Sequence, residues 1–104
     1  MNTIIGKRMG HVLMVTVDDE VLQLVPSLKV WSHSPDGFNA GYAGSGPAQL
    51  ALAILMKFTN NKTAMRLHQE FKSIFLTEPE YQVSDFEFQV DIPAWIRAQN
   101  GRIS

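Results

Sequence analysis

From Met1 to Val25 apolar and β-branched residues dominate, interrupted at Gly10 and at the acidic triplet Asp18, Asp19, Glu20. Such side chains suit a pleated, half-buried surface and the interruptions carry turn chemistry. The pattern therefore predicts three short strands, Ile4 to Arg8, His11 to Val17 and Val21 to Val25. The middle one is apolar on both faces apart from Thr16, which makes it the expected centre of the group. Past Pro26 the pattern loosens, and Ser34-Pro35-Asp36-Gly37 is a strong turn signal, because Pro presets φ and Gly tolerates a positive one. A second, shorter hairpin is expected across it.

A change of period marks the middle of the chain. Ala48 to Met56 is built from strong helix formers and predicts a helix from about Pro47 to Phe58, with Pro47 as its first helical residue and Ser45 or Gly46 as its cap. Only Gln49 and Lys57 interrupt its apolar surface, so it must be buried on most sides. After Asn60-Asn61-Lys62, Thr63 is the expected N-cap of a second helix ending near Leu76, before Pro79. In that helix Leu67, Phe71, Ile74 and Phe75 share one face, and Arg66, Gln69, Glu70, Lys72 and Ser73 take the other. Asp85 to Val90 alternates with period two, as a half-buried strand does. Asp91 and Pro93 then open a short helix through Ile92, Trp95 and Ile96, ended by Gly101.

These elements define an α+β class: an N-terminal antiparallel sheet of about three to five short strands, packed on two central helices, with a late strand and a short C-terminal helix. At 104 residues, 45% hydrophobic and 18% charged, residues 1–104 make one core in a single domain. Repeats and low-complexity tracts are absent from the pattern.

Composition narrows the chemistry. A formal net charge of −1 lacks the cationic excess that nucleic-acid binding needs, and Lys7, Arg8, Lys57, Lys62, Arg66, Lys72, Arg97 and Arg102 are scattered. Without cysteine there is no disulfide framework, thiolate metal site or Cys nucleophile, which fits a reducing, cytoplasmic setting. Met1 to Gly10 has no secretory pattern, and the longest apolar run, Leu50 to Met56, is far short of the roughly 18 residues a membrane span needs.

The loop Gly41 to Gly46 running into the first long helix is the sharpest candidate site. A glycine-rich turn opening a helix lets N–H groups converge on a phosphate or carboxylate, with about half a positive charge from the helix dipole. Gly41, Tyr42, Gly44, Ser45 and Gly46, with Ser34 and Asp36 from the preceding turn, would be the binding groups. The spacing is neither a dinucleotide fingerprint nor a phosphate loop. The plainer alternative is a tight passage into a buried helix. His11, His33 and His68 are far apart with no ligand spacing, so no metal site and no cofactor is expected unless the fold assembles one. His68 and Glu70, two apart on a helix, point to different faces. The triplet Asp18-Asp19-Glu20 lacks the further ligands of a calcium loop and reads as a solvated turn. No nucleophile–base pair stands out, so no catalytic residue is assigned. Trp31 and Tyr42, if exposed, would be anchors for a protein partner.

The run Ser32-His33-Ser34-Pro35-Asp36-Gly37-Phe38, followed by Gly41-Tyr42-Ala43-Gly44-Ser45-Gly46-Pro47-Ala48-Gln49-Leu50-Ala51-Leu52-Ala53-Ile54-Leu55, resembles the signature of a small uncharacterised family found in bacteria and their phages. That family carries only a domain-of-unknown-function label. The similarity is densest over about residues 32–55 and continues more loosely through Phe71-Lys72 and the closing strand with Trp95. Family members often have Trp where this chain has Ala40. The resemblance implies no activity, catalytic residue or cofactor; it implies a phage or mobile-element context, in which small proteins bind and modulate host proteins.

Two function classes follow. The first is a non-catalytic interaction or modulator protein whose partner is another protein or its own copy, marked by a contiguous exposed apolar patch. The second is a small-ligand module at the glycine loop, possible as an enzyme, marked by a concave pocket with free N–H groups. Nucleic acid and membrane are not expected partners.

Overall fold

The computed structural model describes residues 1–101; Arg102, one of the scattered cations, lies outside the described residues. β1 (Asn2–Met9) and β2 (Val12–Val17) form a hairpin across Gly10-His11, with Met9 opposite Val12 and Ile4 opposite Val17. Gly10 takes φ +66°, the conformation glycine adopts at little cost. The next turn is Asp18-Asp19, and both residues have positive φ, as a two-residue turn matching the strand twist requires. Asp18 is compensated locally. Its carboxylate accepts from Asn2 Nδ2 and the Thr3 N–H, each at 2.8 Å, and these bonds hold its pKa below the usual carboxylate value.

β3 (Glu20–Val21) is only two residues long, where the pattern had predicted a strand to Val25. Leu22 turns into the core, and Val25–Val30 forms a short helix, α1, with Pro26 in its first turn. Proline is harmless there, since the first N–H groups of a helix have no acceptor within it. Pro26 thus starts a helix rather than ending a strand. The expected second hairpin is not formed either. Ser34 to Gly37 closes as a turn, through the Gly37 N–H to the Ser34 carbonyl at 3.3 Å, but its flanks are not strands.

α2 (Ser45–Met56) begins at Gly44 as N-cap, so Ser45 and Gly46 lie inside the first turn and Pro47 is its third residue. Every residue from Gly46 to Leu55 is buried. Leu50, Leu52, Ile54 and Leu55 are wholly excluded from water, and each contributes about 1.5–3 kcal/mol by that burial. α3 (Asn61–Phe75) is capped by Asn60 rather than Thr63: the Asn60 side chain accepts from the Thr63 N–H at 2.8 Å. A single 3-10 turn at Pro79–Gln82 leads to β4 (Phe86–Val90) and then α4 (Ile92–Gly101), whose first turn is capped by Asp91.

The sheet order is β3-β2-β1-β4, antiparallel throughout. Ile4, Leu13, Val15 and Val17 point inward and join α2, Leu67 and Phe71 of α3, and Ile92 and Ile96 of α4 in one core. At the α3 end Phe71 meets Trp95 edge-on at 5.2 Å, and Tyr81 stacks on Phe86 at 4.2 Å. Trp95 and Tyr81 are therefore packing residues. The other face of the sheet has no covering layer among the described residues. There β2 departs from the expectation of a strand apolar and buried on both sides: Met14 is partly exposed and Val12 is 63% exposed.

Candidate functional site

The glycine loop is shaped by its own neighbours. Gly41 has φ +98°, and a Cβ there would collide with the Gln82 backbone; its N–H is bonded to the Leu76 carbonyl at 2.8 Å. A Cβ on Gly44 would strike the Tyr42 ring, and one on Gly46 would lie 2.5 Å from Asn39 Cβ and 2.9 Å from the Tyr42 hydroxyl. The space beside the start of α2 is thus filled by Tyr42 and Asn39. Of the predicted ligand-binding residues, Ser34, Asp36 and Tyr42 do meet, with His11 and Asn39, around a shallow depression of about 140 Å³. Gly41, Gly44, Ser45 and Gly46 do not line it. The Ser34 hydroxyl is engaged, donating to the Gly37 carbonyl at 2.7 Å.

Gln49 organises the segment in front of that depression. Fully buried in α2, it accepts from the His33 N–H at 2.6 Å and the Ser34 N–H at 3.0 Å through Oε1. Its Nε2 donates to Ser27 Oγ at 2.8 Å and to the Trp31 carbonyl at 3.0 Å. Both lone pairs and both protons of the amide are used, which is the condition for burying it without a large desolvation cost. The sequence showed Gln49 only as an interruption in an apolar helix. A lone amide on a helix that must be buried all round is nevertheless the signal that it holds something.

The fold also joins two of the three separated histidines. His33 and His68 approach Nε2 to Nε2 at 3.0 Å, and His68 Nδ1 lies 2.7 Å from the Met65 carbonyl. A carbonyl only accepts, so His68 carries its proton on Nδ1 and offers the Nε2 lone pair; His33 Nε2–H is then the donor between the rings. Burial pushes both imidazoles below their ordinary pKa, helped by His68 and Lys72 for His33; in His68 the Met65 carbonyl opposes the shift. Local spacing gave no hint of the pair, because 35 residues separate its members. Among the described residues no group of three or more His, Cys, Asp or Glu side chains is placed to hold a metal.

Trp31 is 52% exposed and lies against the His33 ring at 5.5 Å, while Tyr42 is less open. A larger apolar feature lies elsewhere. β3 pairs with only Thr16 and Val17 of β2, and the Leu22 N–H adds one bond to the Val15 carbonyl. Beside Val12–Met14 the strand edge therefore faces a groove of about 420 Å³. Its floor and near wall are consecutive residues of β2, and Leu22, Leu24 and Phe38 close the far side. Met9, 57% exposed, and Val12 sit at its rim. Asp36 is its sole charged lining residue among the described residues. Nothing in a single-strand pattern predicts this groove, since it exists because β3 stops early.

A small antiparallel sheet backed on one face by helices, with a fully bonded amide inside and an apolar groove along one strand edge, defines a two-layer α+β fold. The chain belongs to a family of unknown function (DUF6166), which it matches over residues 5–98. Comparison with curated proteins and with solved structures returns no match. No helix among the described residues is long and apolar enough to cross a membrane.

Proposed function

We propose that this domain is a non-catalytic interaction protein, and that it docks a partner protein along the groove beside β2. The observation that carries this reading is the groove itself: a concave apolar channel rimmed by exposed Met9 and Val12. Main-chain groups on the uncovered edge of β2 favour an extended partner segment, which would add a strand and insert alternate apolar side chains between Leu13 and Phe38. The resemblance to a bacterial and phage family supports the finer reading, a modulator of a host protein in the cytoplasm.

The glycine loop supports the small-ligand reading less well, because Tyr42 fills the space beside Gly44 and Gly46. The test is site-specific photocross-linking in cells, with a photoreactive residue in place of Val12 or, as control, Ile74, which is exposed on α3. A discrete adduct from position 12 and none from position 74 is expected. The same adducts from both positions would overturn the proposal.

A further inference from the structure

We infer that the occupant of the groove is an extended apolar segment carrying a lysine or arginine, which pairs with the main chain of Leu13 and sets its cation on Asp36. This rests on the docking reading above and adds the chemistry of the partner. In the β1–β2 ladder Val12, next to the two-residue turn, directs its N–H and C=O toward β1, as do Met14 and Thr16; those of Leu13 and Val15 point the other way. The Leu22 N–H on the Val15 carbonyl, at 2.8 Å, fixes that alternation. Because β3 pairs only with Thr16 and Val17, the N–H and C=O of Leu13 have no hydrogen-bond partner among the described residues. A donor and an acceptor side by side on a strand edge are a template for one more strand. Charges or proline usually guard such an edge, and Val12, Leu13 and Met14 include neither.

The side chains of an added strand alternate between the two faces of the sheet. One set falls on the side of Leu13, toward Leu22, Leu24 and Phe38, and the other lies with Met9, Val12 and Met14 on the open face. Both sets meet apolar walls, so the segment is apolar on both sides over the stretch beside Val12–Met14, about 10 Å of strand. An amphipathic helix would leave the Leu13 N–H and C=O unmet, because its own main-chain groups are bonded internally. Charge completes the description. Asp36 is exposed, lines the groove beside Gly37 and Phe38, and makes no hydrogen bond or ion pair among the described residues. Among those residues no cation lines the groove to answer it, so an anionic segment is repelled while a cationic one is drawn in and held in register.

The test is selection of a display library of random octapeptides on the full chain and on Asp36→Lys, an exposed turn position, with both proteins verified as folded. The wild type is expected to enrich apolar peptides that carry a lysine or arginine. Asp36→Lys should enrich Asp or Glu in its place and bind a peptide selected on the wild type roughly fivefold more weakly. Hydrogen exchange gives a second readout: a synthetic copy of an enriched peptide should slow the Leu13 amide and leave the Met14 amide, already bonded to β1, unchanged. No enrichment by the wild type, the same cationic preference in Asp36→Lys, or enriched peptides that leave the Leu13 amide unprotected would each overturn the inference. If cross-linking from position 12 alone still succeeds, the docking surface stands without this partner chemistry; the same adducts from positions 12 and 74 would remove the docking surface itself.

Discussion

The two faces of β2 are made from similar residues and meet opposite fates. On one, Leu13, Val15 and Val17 are buried in the core; on the other, Val12 and Met14 of the same strand stand open to water. Valine and leucine carry no instruction about which side a helix will cover. The covering is decided by connectivity, because α1, α2 and α3 follow one another on one side and the chain then returns through β4 to the sheet's far edge. The uncovered face leaves Val12 and Met14 exposed beside the groove along the β2 edge, and that groove is read as the surface for a partner.

The largest effect should come from emptying the covered side. Leu52→Ala removes a wholly buried side chain from the middle of α2 and is expected to cost about 2–5 kcal/mol in urea unfolding. Val12→Ala on the same sheet's open side should cost within about 0.5 kcal/mol. Equal costs would break the comparison.

Gln49→Leu should come next, at about 1–3 kcal/mol, because it orphans the His33 and Ser34 N–H groups and the Trp31 carbonyl. Hydrogen exchange should rise at residues 33 and 34 before it rises in β1. A stable variant with unchanged exchange would mean that packing alone holds the 31–38 segment.

A smaller effect is expected from pH. His33 and His68 both have folded pKa values lowered by burial, so below about pH 6.5 the unfolded chain binds more protons than the folded one. Their contribution to stability is present above that pH and is lost as pH falls toward the folded values. The urea midpoint should therefore drop between pH 7.5 and 5, and His33→Gln should flatten the drop. A midpoint that rises on acidification would contradict the neutral, hydrogen-bonded pair.

Much of the architecture was legible in the sequence. Alternation in Asp85 to Val90, the helix-forming run after Pro47 and the stripe of Leu67, Phe71 and Phe75 each belong to one element and one period, although Ile74, expected on the same packed face, is 54% exposed. Features needing two distant segments were not legible. Pro26 reads as a stop after a strand until Leu22 is seen turning inward, and Asn60 takes the cap from Thr63 because it alone sits at the chain's entry to α3. At the candidate sites the sequence marked the glycines for their flexibility, but what demands them, the Tyr42 ring and the Gln82 backbone, comes from packing. The histidine pair and the groove depend wholly on long-range placement.

The most direct test of the docking surface compares two baits of matched charge, Val12→Glu at the groove and Ile74→Glu on α3, each verified as folded, with the wild type in quantitative affinity capture from the cells that express it. A protein retained by wild type and Ile74→Glu but lost from Val12→Glu, and then shown with purified components to bind the wild type directly, is the predicted result. Identical partner sets for the two charged variants, or loss only from Ile74→Glu, would contradict it.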